Sequence, residues 1–242
     1  GTLGVITAAV MRLVPRARAH ATAMVACGTL DAALELLNRL QEATGGLVEA
    51  FEYMAPSYME LLGRRRPDLG QPFAQIAPVT LLVELAATTA RDATPGPDGT
   101  VPLVDLLEEV LGTMMEEGRI TDAVLARSVQ QRRRMWERRE AAAEITLGYD
   151  VVVDTDISIP LDRIAAFPAR MSQALAALDP AAWAITIAHL GDGNIHYTAL
   201  PSDSDPAHLA AIRAAVDGVV RDLGGSFSAD HGIGVATLAS MG

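Results

Sequence analysis

Residues 183–200, WAITIAHLGDGNIHYTAL, constrain the fold more than any other stretch of this chain. Two apolar, β-branched runs flank a Gly-Asp-Gly-Asn loop. An Asp-Gly pair between strand patterns is the strong signal for a two-residue hairpin turn, so two neighbouring strands are antiparallel. With Asp192 and Gly193 as the turn, Leu190 faces Ile195 and His189 faces His196. Side-chain alternation then puts both imidazoles on one face and Leu190 and Ile195 on the other. Directly opposed Cβ atoms lie roughly 4.5–5.5 Å apart. Two imidazoles at that separation can converge on one divalent metal, at about 2.0–2.1 Å for zinc. An ordinary cross-strand histidine pair has the same spacing, and a four-residue turn changes the register.

The remaining patterns interleave strands and helices. GTLGVITAAVMRLVP (1–15), HATAMVAC (20–27), VEAFEYM (48–54), VTLLVELAAT (79–88), YDVVVDTDISIP (149–160) and the short SFSAD (226–230) read as strands. Helical spacing recurs in 29–46, 103–118, 128–145, 160–178 and 206–225. Thr29 or Asp31 caps the first of these, Gly45-Gly46 stops it, and Pro168 perturbs the fourth. RDATPGPDGTVP (91–102) is a loop. No repeat of fixed short period is visible. A tight hairpin within an interleaved order predicts an α+β fold, an antiparallel sheet covered by helices, rather than a doubly wound parallel sheet.

Half of the 242 residues are apolar, enough for a substantial core, and the net charge of −11 argues against a nucleic-acid partner. No apolar run is long enough to span a membrane. The single cysteine, Cys27, excludes an internal disulfide and reads as a buried hydrophobe. SADHGIG (228–234) adds Asp230 and His231 in a glycine-rich setting, whose alternative is a capped loop-to-helix turn. Two imidazoles and one carboxylate leave a coordination position open, as in catalytic zinc sites. Asp230 is then the third ligand, and His231 is left for proton transfer. His20 and His208 lack such company and read as surface or packing residues. QQRRRMWERRE (130–140) reads mainly as a solvated helix surface paired with Glu137 and Glu140. Arg132, Trp136, Arg139 and Ala143 share one face of it, where an arginine turned inward can clamp a carboxylate.

Together these stretches resemble the C-terminal half of the FAD-linked oxidases that act on D-2-hydroxy acids. That family includes D-lactate dehydrogenase, the glycolate oxidase catalytic subunit and D-2-hydroxyglutarate dehydrogenase. GTLGVITAAVMRLVP resembles the last strand of the family's flavin domain, WERRE (136–140) its Trp-x-x-Arg-Glu helix, and DISIP (156–160) its Asp-Val/Ile-Ser-Val-Pro segment. HLGDGNIH and SADHGIG are the most specific matches. The resemblance implies a ferredoxin-like α+β fold with a large antiparallel sheet. It also implies a divalent metal, zinc by donor type, on His189, His196 and Asp230. His231 is the implied catalytic base, Arg139 and Asn194 bind substrate, and Gly4 and Ile6 touch FAD.

By the same comparison residues 1–15 are the end of an FAD-binding domain and 16–242 a substrate-binding cap domain without its closing helical segment. The implied reaction is oxidation of a D-2-hydroxy acid, D-lactate-like or D-2-hydroxyglutarate-like, to the 2-oxo acid, with a separate electron acceptor. A homodimer and a cytoplasmic location, or a peripheral one at a membrane, are further expectations. Four positions depart from the pattern. Asp230 replaces the usual Glu, and Asp154 stands where relatives specific for 2-hydroxyglutarate carry Lys. Ala143 replaces a hydroxyl, and Val235-Ala236-Thr237 replaces a basic residue. Two readings without a flavin remain: a metal-dependent hydrolase and a non-catalytic metal-binding domain.

Overall fold

The computed structural model describes residues 4–234 and 240. Seven strands form one sheet: β1 (Ala19–Cys27), β2 (Val48–Met54), β3 (Val79–Ala87), β4 (Ile120–Leu125), β5 (Val153–Ser158), β6 (Trp183–His189) and β7 (Asn194–Leu200). Its order is β4-β1-β3-β2-β6-β7-β5, and every pairing is antiparallel. The helices are α1 (Leu30–Thr44), α2 (Pro56–Arg65), the single turn α3 (Ala90–Ala93), α4 (Pro102–Glu116), α5 (Val129–Glu140), α6 (Ala142–Thr146), α7 (Phe167–Leu178) and α8 (Pro206–Asp222). A 3₁₀ turn, Ile164–Ala166, leads into α7.

The strand order contains the same motif twice. β1-α1-β2-β3-α4-β4 is a β-α-β-β-α-β unit with strand order 4-1-3-2, which is ferredoxin-like. β5-α7-β6-β7-α8 repeats it, and the backbone bridge Ser158–Ser226 stands in the place of the fourth strand. The two units join edge to edge through β2 and β6. The α+β, ferredoxin-like expectation therefore holds twice over.

Local chemistry explains the helix limits. Thr29 accepts from the Ala32 N–H at the start of α1, and Gly45 ends it at φ +64°. Ser128 caps α5 through the Gln131 N–H. Pro168 sits in the first turn of α7, where its lost N–H has no helical partner anyway, so it starts the helix instead of breaking it. One face of the sheet packs on α1, α4, α7 and α8, burying residues such as Leu36, Leu40, Leu107, Met171 and Val216. Each fully buried side chain of this kind contributes roughly 1.5–3 kcal/mol. α2, α5 and α6 cover part of the other face through Tyr58, Leu62, Met135 and Ile145. Cys27 is buried as expected, and burial pushes its thiol up to about 12.

Three expectations differ. Residues 4–17 form no strand, and Val5, Ile6, Val10, Met11, Leu13 and Val14 are exposed. A strand requires a ladder partner, and the described residues supply none there. Residues 1–3 of the expected strand, and Val235-Ala236-Thr237, lie outside the described residues. No helix or strand pattern marks α2, the single turn α3 or β4, the last a short edge strand whose exposed positions weaken its apolar pattern. The 128–145 helix is split at Ala141 into α5 and α6.

Candidate functional site

The partly covered sheet face carries three parallel rows of residues around the β2–β6 junction. Glu52, His189, Asn194 and Ser158 form the first row across β2, β6, β7 and β5. Met54, Ile187, His196 and Asp156 form the second, and Ile185, Thr198 and Asp154 the third. Rows two residues apart along a strand are separated by about 7 Å.

This register corrects the two-residue turn. His189 faces Asn194, and His196 faces Ile187. The strands are joined by four residues, 190–193, because the Leu190 N–H donates to the Phe51 carbonyl at 2.8 Å and the Leu190 side chain is fully buried. Strand β2 thus claims a residue that the hairpin was expected to use. Gly193 completes the turn at φ +82°, where a Cβ would come within 2.3 Å of the Ile159 carbonyl oxygen. The slip is by two positions, so the histidines keep the same face. They become diagonal neighbours with ring centroids 5.2 Å apart.

The segment after α8 completes the cluster. Ser158 and Ser226 exchange backbone hydrogen bonds, and the backbone N–H groups of Asp230 and His231 both donate to Asp156 Oδ2, at 2.9 and 2.8 Å. Ligand atoms of His189, His196 and Asp230 then lie within 4.8 Å of one another. His231 stacks on His196 at 5.4 Å, with Nε2 3.5 Å from Asp230 Oδ1. Burial holds the His196 imidazole below its usual range, which favours the neutral, ligating form. A hydrogen bond to Glu52 raises His189. For Asp230 burial acts upward, but contacts with Asp156, His231 and the Asn194 side chain outweigh it and hold the carboxyl below its usual range.

Arg139 reaches the same place from α5. Its Nε donates to Glu52 Oε2 at 2.7 Å, and its η nitrogens make no hydrogen bond to any described residue. Arg139 lines a cleft of about 340 Å³ with His189, His196, Asp230 and His231. Ala143, Asp154 and Thr198 line it as well. Asn194 was expected to touch substrate, but it is 6% exposed and lies behind Asp230, off the cleft wall. Gly4 and Ile6 stand in the exposed opening segment. His20 and His208 lie elsewhere, beside Glu84 and Asp179.

The sequence profile of "FAD linked oxidases, C-terminal domain" matches residues 16–242. The chain belongs to this family. D-2-hydroxyglutarate dehydrogenase from Stutzerimonas stutzeri (strain A1501) is 29% identical over 97% of the chain and 48% of its own length. Mitochondrial D-2-hydroxyglutarate dehydrogenases from Rattus norvegicus and Bos taurus are 29% and 30% identical, again over 97% of the chain, and it covers 41% and 40% of them. The chain thus spans less than half the length of these relatives. An alkyldihydroxyacetonephosphate synthase structure has the same fold at a TM-score of 0.55 and 10% identity, covering 89% of this chain and 41% of its own.

Within this FAD-linked oxidase C-terminal domain, residues with no assigned role prove central. Glu52 is 5% exposed and joins Arg139 to His189. Asp156 gathers the 230–231 loop. Glu84 is 2% exposed and accepts from Arg132, Thr22 and Trp136. A lone acid inside an apolar strand was the available signal for Glu84, and Glu52 shares its strand with Glu49, so only its place among Phe51, Tyr53 and Met54 marked it. The arginine run is correspondingly less solvated than expected. Arg132 and Arg139 pair with buried carboxylates, Arg134 and Arg138 bond backbone carbonyls of 68–70, and Arg133 makes the one surface pair, with Glu137. Arg132, Trp136 and Arg139 share the sheet-facing side of α5, where they reach Glu84 and Glu52, while Ala143 lies beyond the break at Ala141 in α6.

Proposed function

We propose that this chain is the substrate-binding domain of an FAD-dependent dehydrogenase that oxidises a D-2-hydroxy acid to the 2-oxo acid. His189, His196 and Asp230 hold a divalent cation, which we take to be zinc. One observation carries the reading. A two-imidazole, one-carboxylate set shares a cleft with a guanidinium whose η nitrogens are uncommitted. The donor set fits a catalytic zinc. The orphaned buried oxygens of Asp156 (Oδ1) and Asn194 (Oδ1) lie in the same rows, as expected around a charged guest. The relatives named D-2-hydroxyglutarate dehydrogenase support the reaction class. Residues 1–15 belong with a flavin domain and 16–242 form the cap.

The cation supplies Lewis-acid polarisation of a hydroxyl and carboxylate, and the flavin supplies the hydride acceptor. This chain's residues do the rest. Arg139 binds the C1 carboxylate through its η nitrogens while Nε stays on Glu52, which fixes the face of C2 presented for oxidation. His231 accepts the hydroxyl proton at Nε2. Asp156 holds His231 by accepting from its backbone N–H, and the Asn194 side chain lies beside the Asp230 carboxyl.

The test is anaerobic reduction of the flavin in the intact enzyme. Bleaching by D-2-hydroxy acids and not by their L-enantiomers is expected, and loss of bleaching in Arg139→Ala. A protein without flavin that hydrolyses esters or amides in a zinc-dependent way would establish the hydrolase reading instead.

A further inference from the structure

We propose that Glu52 and Asp156 are paired positioning residues, each tying one of the two metal-facing histidines to a second part of the catalytic site. The proposal rests on the metal reading above. The two carboxylates bracket the histidines from opposite sides, Glu52 from β2 and Asp156 from β5. Glu52 uses both oxygens: Oε1 lies 2.9 Å from His189 Nδ1, and Oε2 accepts from Arg139 Nε at 2.7 Å. Asp156 Oδ2 accepts from the backbone of Asp230 and His231, and Oδ1 lies 3.4 Å from His196 Nδ1.

An ionised carboxylate only accepts hydrogen bonds. His189 Nδ1 must therefore be the protonated nitrogen, and Nε2 carries the lone pair. The Asp156 Oδ1 atom is buried and makes no hydrogen bond in this structure, and His196 Nδ1 faces it at 3.4 Å, so a small ring rotation would let a protonated Nδ1 donate to it. Both rings then present Nε2 to one ion. A carboxylate behind a ligating histidine fixes its tautomer and raises its basicity.

Each carboxylate also has a second duty. Glu52 sets the aim of Arg139, so the guanidinium that reads the substrate and the imidazole that reads the metal hang from one side chain. Asp156 sets the loop that carries the third ligand and the base. Burying two acids is costly unless each oxygen is matched. Every oxygen here faces a catalytic element, which a purely structural ion pair would not require.

Glu52→Gln puts a donor NH₂ where two donors already point, so either Arg139 or His189 must let go. Asp156→Asn can keep its amide oxygen on the 230–231 backbone only by turning its NH₂ toward His196 Nδ1, which then cannot be the protonated nitrogen. Zinc titration of the 242-residue chain by calorimetry should show affinity about 10- to 100-fold weaker in each variant. The wild-type chain without metal should show the Nδ1–H tautomer of His189 by ¹⁵N NMR, a readout that needs no variant to fold. An Nε2–H tautomer overturns the proposal. Unchanged zinc affinity in Glu52→Gln and Asp156→Asn, while His189→Ala/His196→Ala abolishes binding, overturns it too and leaves the proposed function standing. Equal zinc binding in that double variant overturns the metal reading and this proposal with it.

Discussion

Asp154 gives the sharpest test of substrate choice. It lines the cleft on the third row, two residues along β5 from Asp156, so about 7 Å separates it from the row of His196 and Asp156. Thr198 Oγ1 donates to its Oδ1 at 2.6 Å, and Arg213 bonds only its backbone oxygen. Among the described residues no cation pairs with its side chain. In the pose proposed above, with C1 on Arg139, the substrate's own side chain would point along the cleft toward this row. A second carboxylate there would stand about 5–7 Å from Asp154, and at an effective dielectric of ~20 the repulsion is about 2.4–3.3 kcal/mol. Tenfold corresponds to about 1.4 kcal/mol, so the penalty is roughly 50- to 250-fold at low salt. It shrinks at physiological ionic strength, where the Debye length is about 8 Å. In the intact enzyme Asp154→Asn should therefore raise kcat/KM for D-2-hydroxyglutarate relative to D-lactate by one to two orders of magnitude, and Asp154→Lys should raise it further. Steady-state kinetics on both substrates at two salt concentrations measures this. A wild-type enzyme that already prefers the diacid, with the ratio unmoved in either variant, would refute the reasoning and place the second carboxylate away from β5.

Other perturbations have equally definite outcomes. His20→Ala and His208→Ala should leave zinc affinity unchanged, whereas His189→Ala or His196→Ala should cut it sharply, as read by metal titration. Arg132→Met leaves Glu84 with Thr22, Trp136 and the His20 imidazole at 3.5 Å, and should cost about 2–3 kcal/mol in urea unfolding; that is below the ~3–5 of a fully buried pair because the Arg132 side chain is 35% exposed. The Asp179 carboxyl is held well below its usual range, first by the Ser202 backbone N–H and then by His208. Its contribution is therefore present above the unfolded value of about 3.9 and is lost as pH falls from there through the depressed folded value. Asp179→Asn should lower the urea midpoint at pH 7, and its gap to wild type should close in acid; a constant gap would assign the loss to packing. Gly225→Ala places a Cβ 2.2 Å from the Ser158 carbonyl oxygen, so it should destabilise by about 1–3 kcal/mol and weaken zinc binding by displacing the 230–231 loop.

The sequence by itself determined what depends on near neighbours. Period-two alternation placed His189 and His196 on one sheet face, and helical spacing placed Arg132, Trp136 and Arg139 on one face of α5. Side-chain caps marked the start of α1. These properties survive any tertiary arrangement that keeps the element. Only the tertiary structure decided which residues face each other across the sheet. The Leu190 N–H bonds to β2, more than a hundred residues away, and that one contact moves the hairpin register by two. Glu52 and Asp156 were legible as acids within strands, but their partners come from α5, β6, β7 and the segment after α8. The duplicated ferredoxin-like unit was invisible because its halves share a topology rather than a sequence period. Long-range pairing decides such features: a backbone donor or a buried carboxylate must find its partner, and a local pattern does not say where that partner lies.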